Sequence, residues 1–447
     1  MTRDGGSGGV PSPAAARRVF LTLTATRWLP VGFVAGLLTL WQLDRGLSLA
    51  QATTMMSIAG AVVLALELPT AGLSDALGRR PVLLVAAVVN VMASLAYLLA
   101  HSWATFSVAA ACMGLFRALD SGPLEAWYVD TVHATRPGAD VDQDLSRATS
   151  VLGLALAGGA LASGGLVAWH PVPGRSALWM PVLVSLVLAV GHLVAVLTLL
   201  REPVPAGAAD SSDRAGGPAG IGSVTGWRRA RASVAATPSI IGSGLSLLRT
   251  SRVLRALVLV EVFWSVAMSV SEVFFPVRLS EMLGSEARAG VVVGPVTALA
   301  WGTFAVGARA SGWLSARLGV ARAAIVARVL HSVGAVVMAL AMGPLGLVVL
   351  HLLTYGAHGM QGPVYHALLH REASARNRAT VLSMASMCAF GSMAIALPLL
   401  GQVADRVSTP VAMAAAGTFG LLGVLCLLPA LRAERERAAT PAAPVAA

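Results

Sequence analysis

Lysine is missing from this chain, and its basic charge comes entirely from 32 arginines. Without lysine there is no Gly-Lys-Ser/Thr phosphate loop and no lysine Schiff base. That excludes nucleotide hydrolysis and carbonyl chemistry by those routes. Cysteine is nearly missing too. Cys112, Cys388 and Cys426 stand far apart in apolar runs, with neither disulfide nor zinc spacing, and read as small core residues. Charge of either sign is scarce, at 12% of residues against about 25% in a soluble domain. His-Glu-x-x-His, Gly-x-Ser-x-Gly and paired aspartates on facing glycine-rich segments are all lacking, so the chain does not read as an enzyme. His351, His358, His366 and His370 recur along one apolar run without accompanying carboxylates. They suit a satisfied helix or a pH-sensitive gate, so no metal and no cofactor is expected.

What is present is hydrophobic length. Apolar residues make up 56% of the 447 even without glycine, and they fall into runs of the roughly 20 residues that cross a bilayer. The runs lie near 19–42, 52–74, 81–100, 104–130, 145–169, 177–200, 254–278, 289–316, 320–342, 345–370, 378–402 and 410–431. They predict an all-α polytopic membrane protein, with twelve transmembrane helices in two pseudo-symmetric six-helix bundles over 19–200 and 254–431. Residues 1–18 and 432–447 are expected to be disordered tails. Residues 201–253 are expected to form a cytoplasmic linker that ends in a basic amphipathic segment, Trp227–Arg255, on the anionic inner leaflet. Lipid beside that segment argues against a nucleic-acid role. With both termini inside, 23 arginines fall in cytoplasmic segments and 5 outside, and Arg27, Arg117, Arg309 and Arg328 remain within spans. Only this orientation satisfies the positive-inside rule. Arg147-Ala148-Thr149 recurs as Arg378-Ala379-Thr380, Gly122-Pro123 as Gly362-Pro363 and Leu77-Gly78 as Leu318-Gly319, at offsets of 231, 240 and 241. Such a repeat makes the interface between two halves the expected passage.

Charges inside apolar runs are the candidate site residues, because each costs about 2.5–3.5 kcal/mol at a helix centre unless paired or wetted. Arg117 and Asp120, three apart in span 4, are expected to pair on one face. Glu125 has no such partner in its own span, and Arg27 at a similar depth in span 1 is expected to meet it. Glu261, Trp264, Ser265, Met268 and Glu272 form one stripe of span 7 at steps of three and four. An acid-aromatic-acid stripe suits a cavity for an apolar or cationic solute. The alternative for Glu261 is an ion pair with Arg309 or Arg328, and Glu272 is expected near the outer mouth in a structural role. Glu67 in span 2 has the same two readings. Gly153, Gly158, Gly159, Gly164 and Gly165 give span 5 a small-residue face for close helix packing.

The turn after span 2, Gly72-Leu73-Ser74-Asp75-Ala76-Leu77-Gly78-Arg79-Arg80, resembles the signature loop between helices 2 and 3 of the major facilitator superfamily. Asp75, Gly78, Arg79 and Arg80 fall on it in register, while Ala71 and Ala76 depart from it. Asp130, at the end of span 4, matches the acid that pairs with the loop arginine in that family. The resemblance therefore implies an Arg79–Asp130 ion pair and Asp75 facing the N-terminus of span 11 near Arg378-Ala379-Thr380, a latch on the cytoplasmic side. Arg117 followed by Gly122 is similar to the family's span-4 pattern, whose arginine is implicated in proton coupling. The glycine-rich span 5 looks like the antiporter signature of drug-exporting members.

These features predict a multi-pass cell-membrane transporter that exports small apolar or cationic compounds by proton antiport, with alternating access of two halves. Protonation of a buried acid, Glu125 first and then Asp120 or Glu261, would bias the two states. The expected partners are a small-molecule substrate, protons and membrane lipids, with the chain a monomer. A uniporter or symporter for metabolite uptake, or a non-transporting membrane scaffold, is the alternative. Few Asn and Gln lie in the spans, against the many amide hydrogen bonds of a sugar site.

Overall fold

The computed structural model describes residues 11–201, 224–374 and 377–439. Residues 202–223 of the predicted 201–253 linker and the ends of the predicted tails, 1–10 and 440–447, lie outside the described residues. The helices Pro13–Val34 and Leu428–Ala439 run into the segments expected to be disordered. Every regular element among the described residues is helical. A chain in lipid requires this, because a helix satisfies its backbone N–H and C=O groups within one segment. The first group comprises α1 (Pro13–Val34), α2 (Leu37–Asp44), α3 (Leu49–Leu77), α4 (Arg79–Leu99), α5 (Trp103–Leu119), α6 (Pro123–Thr135), α7 (Asp142–Trp169) and α8 (Trp179–Leu199). Helix α9 (Val224–Thr250) follows. The second group comprises α10 (Arg252–Ser269), a π turn (Val270–Phe274), α11 (Phe275–Leu283), α12 (Glu286–Leu318), α13 (Val320–Ala339), α14 (Pro344–Glu372), α15 (Arg378–Arg406), α16 (Thr409–Leu422), a 3₁₀ turn (Gly423–Leu427) and α17 (Leu428–Ala439).

Nine helices among the described residues are long and apolar enough to cross a membrane, or ten if α1 and α2 count as one span bent by 43° at Gly36. Two predicted spans fall outside that set for local reasons. Histidines, glycines and Gln361 dilute the apolar content of α14. The predicted continuous fourth span is broken into α5 and α6, with Gly122 at φ 95° and Pro123 opening the second piece. Glycine tolerates that left-handed turn and proline suits a first helical position. The repeated Gly362-Pro363 sits inside an unbroken α14, so the shared dipeptide does not have the same effect in both places.

Within the first group α1 packs on α7 and α8, and α5 on α3 and α4; within the second, α14 packs on α12 and α13, and α10 on α15. The groups meet along α3 with α15 and α7 with α12. Helix α9 crosses from one group to the other, touching α3 and α15. Two of the five predicted packing glycines make close approaches. A Cβ on Gly164 would lie 2.7 Å from Pro295 and 3.2 Å from Gly294, and one on Gly159 would lie 2.7 Å from the Leu29 carbonyl. Gly153, Gly158 and Gly165 face open space, so the predicted small-residue face is narrower than expected. The Leu77-Gly78 and Leu318-Gly319 repeat has structural content: both glycines join consecutive helices at nearly the same dihedrals, φ 98° and ψ 158° against φ 85° and ψ 158°.

Candidate functional site

Between the two helix groups lies a cavity of about 650 Å³. Helices α3 and α5 contribute Met56, Met113 and Arg117 from one side. From the other side α10 and the π turn present Glu261, Trp264, Ser265, Met268 and Glu272, all five residues of the predicted stripe. Trp301, Tyr355, His358 and Phe390 close the wall with aromatic surface.

Glu272 sits in the π turn, where one extra residue in the turn redirects side chains and often marks a working site. The sequence predicts Glu272 at the outer mouth. Instead it faces the cavity and accepts a hydrogen bond of 3.0 Å from the Tyr355 hydroxyl. Five residues in an apolar run carry no signal for a π turn, so sequence periodicity missed it. Trp264 donates to His358 Nδ1 at 3.4 Å, and their rings stack at 5.6 Å. Glu261 faces the cavity, and among the described residues no arginine lies within 4 Å of its carboxylate. Neither predicted pairing, with Arg309 or with Arg328, is formed. Glu67 accepts a hydrogen bond of 3.1 Å from Ser386 on α15, joining the two groups just beside the cavity.

Arg117 projects into the cavity, its guanidinium 5.6 Å from the Phe390 ring. The predicted Arg117–Asp120 pair does not form, because α5 ends at Asp120 and the three-residue spacing no longer lies on one helix. Asp120 is buried and pairs with Arg27 of α1. Arg27 also donates to the Asp120 carbonyl at 3.2 Å, so one guanidinium holds both the carboxylate and a terminal carbonyl of the broken helix. The predicted Arg27–Glu125 meeting is corrected accordingly. Glu125 is exposed on the first turn of α6 and lines a separate side cavity of about 340 Å³ with Arg27, Trp28 and Gly122.

A sequence model of the Major Facilitator Superfamily matches residues 20–396. The chain belongs to this superfamily. It is therefore a membrane transporter and not an enzyme. The nucleoside transporter NupG superposes with a TM-score of 0.71 at 12% identity, covering 93% of this chain and 99% of that one. A bacterial homologue of the human drug peptide transporters PepT1 and PepT2 gives 0.68 at 12% identity, with 95% and 100% covered. A POT family transporter in complex with 5-aminolevulinic acid gives 0.66 at 13%, with 92% and 95% covered. No curated protein matches this chain in sequence.

The turn that resembles the superfamily's signature loop runs through Gly78, which joins α3 to α4. Arg79 Nε lies 3.4 Å from Asp130 Oδ2, the expected ion pair, and Arg79 Nη1 donates to Ser74 at 2.8 Å. Arg80 Nη2 reaches the Leu197 carbonyl at 3.4 Å. Asp130 is about half exposed, at 53% of its side chain, so this pair contributes at most about 1 kcal/mol. The side chain of Asp75 and the position of Gly72 in the latch lie outside the described residues. The equivalent turn at Gly319 has a different lock: Glu434 of α17 accepts from Val320 N at 3.0 Å and Ala321 N at 2.7 Å. A carboxylate there satisfies two free N–H groups and complements the helix dipole. Nothing in the sequence repeat points to Glu434, which lies 114 residues away from Val320.

Proposed function

We propose that this chain is a proton-coupled exporter of small apolar or cationic compounds. Its twelve spans form two six-helix halves that rock against each other, with both termini and the Arg79-Arg80 turn on the cytoplasmic side. One observation carries the reading. The central cavity sets two carboxylates, Glu261 and Glu272, among the rings of Trp264, Trp301 and Tyr355, while a single arginine, Arg117, projects from the opposite wall. Aromatic faces and carboxylates attract a lipophilic cation, and methionines adapt to ligands of different shape. Its place in the cavity wall makes Glu261 or Glu272 the better proton carrier, ahead of the exposed Glu125. Asp120 is held by Arg27, so it serves the α5–α6 break before it serves coupling.

A proton moving inward supplies about 2.3 kcal/mol per 100 mV of potential, plus any pH difference. That suffices to drive exchange. Cells expressing the chain are expected to extrude a lipophilic cation such as ethidium, and an uncoupler that collapses the proton gradient is expected to stop extrusion. Extrusion indifferent to the uncoupler would overturn antiport. The second reading, proton-linked uptake of a metabolite, draws support from the shared fold with nucleoside and peptide transporters. Accumulation of nucleosides or dipeptides in the same cells, without cation efflux, would favour it.

A further inference from the structure

A smaller cavity, of about 170 Å³, adjoins the central one and shares Glu272, Trp301 and Tyr355 with it. The α1–α2 bend closes one side. Gly36 lines the cavity at φ 73°, and a Cβ there would lie 2.7 Å from Val293 Cγ1, so the space takes only a small group. Trp28 and Phe275 add their aromatic surfaces to those of Trp301 and Tyr355. Glu272 is exposed, although Ser271 and Val273 on either side of it are buried, and it borders both cavities. Its Oε1 accepts from the Tyr355 hydroxyl at 3.0 Å, which leaves Oε2 for another donor. No arginine lines the small cavity, whereas Arg117 lines the central one. A carboxylate set among rings, with no competing guanidinium, favours a cation.

Two further polar groups in the same wall decide which kind of cation. Ser271 is 4% exposed and His351 3% exposed, and neither Ser271 Oγ nor His351 Nδ1 has a hydrogen-bond partner among the described residues. His351 stacks on Phe275 with ring centroids 3.8 Å apart, which holds the imidazole in place. Buried groups of this kind are costly to leave unpaired. A quaternary ammonium has no N–H to offer them, and a primary ammonium has three. We infer that the small cavity is a head-group site for a primary alkylammonium, whose apolar body lies in the central cavity. The three N–H groups divide among Glu272 Oε2, the Ser271 hydroxyl and the unprotonated nitrogen of a neutral His351. The hydroxyl reaches the ligand by rotation about the serine Cα–Cβ bond, and the rings cover the methylene next to the nitrogen. This inference narrows the substrate class of the proposed cation exporter and rests on that reading.

The test is calorimetric binding of three cations to the detergent-purified full chain at neutral pH, for the wild type, Ser271→Ala and His351→Phe. The cations are phenylbutylammonium, phenylbutyltrimethylammonium and tetraphenylphosphonium, the last too bulky for the small cavity. The wild type is expected to bind the primary ammonium about tenfold more tightly than its trimethyl counterpart, the worth of hydrogen bonds to a charged group. Ser271→Ala removes one acceptor, and His351→Phe removes another while keeping a planar ring against Phe275. Each is expected to bring the ratio of the two affinities to within about threefold. Equal or tighter wild-type binding of the trimethyl compound, with tetraphenylphosphonium still bound, would overturn the inference and leave the exporter reading standing. So would a ratio unchanged in both variants, the mark of a packing role alone. A wild type that binds none of the three cations would remove the exporter reading itself, and the inference with it.

Discussion

Asp405→Ala is expected to shift the carrier toward an outward-open form by roughly a factor of 5–30. Asp405 ends α15, in the second helix group, and its carboxylate crosses to the start of α3 in the first. Oδ1 accepts from Leu49 N at 3.2 Å and Oδ2 from Ala50 N at 3.0 Å. These are first-turn N–H groups with no intrahelical acceptor. A carboxylate there acts as a cap and complements the positive end of the helix dipole, together about 1–2 kcal/mol. In the proposed alternating-access cycle, with both termini inside, these ends of α3 and α15 face outward and part when the outer side opens, so the value of the contact biases the conformational equilibrium. Gly401, one turn earlier on α15, lies against Ala50 and Thr53 with no space for a methyl group, which makes the same seam tight. Spin labels at positions 103 and 407, on opposite groups at the outer face, should report a longer distance in Asp405→Ala than in the parent. Asp405→Asn keeps one accepting oxygen and should fall between. An unchanged distance distribution in both variants would show that the cap does not hold the outer face shut.

The residues legible in the sequence were those whose geometry is local or periodic. The Gly78 turn follows from a short loop that leaves few ways to connect two helices, whereas the Arg79–Asp130 pair, 51 residues apart, is implied only by the family resemblance. The Glu261 to Glu272 stripe survives because its five members keep their spacing along one continuous element, the π turn included. The failures arise where a helix was taken to be continuous and was not. Arg117 and Asp120 share a face only if α5 runs on past Gly122. With the helix broken there, Asp120 meets Arg27 and Arg117 faces the cavity. The two side-chain contacts described across the groups, from Asp405 and from Ser386, had no sequence signal. Asp405 lies about 355 residues from the N–H groups it caps, and Ser386 meets Glu67 across a comparable gap.

The Arg27–Asp120 pair separates a structural role from a coupling role more sharply than any other contact in the molecule. Asp120 has 2% of its side chain exposed and Arg27 21%. Arg27→Leu alone leaves the buried carboxylate without its cation, and is expected to cost about 3–5 kcal/mol of stability. That loss would be visible as early thermal unfolding of the detergent-purified protein. Asp120→Leu alone is expected to cost less, because Arg27 lines the side cavity with Glu125 and is part-exposed there, so its charge can be hydrated. The double variant Arg27→Leu/Asp120→Leu is expected to recover most of the stability, since apolar replacement of a buried pair is often neutral or favourable. Two positions in contact, one buried and one part-buried, should be strongly non-additive. Cation efflux by the recovered double variant then decides the role. Efflux that returns with stability places the pair in the scaffold that holds α1 against the α5–α6 break. If the stable double variant is instead unable to use the proton gradient, coupling runs through Asp120, and Glu261 and Glu272 cannot be the only proton carriers.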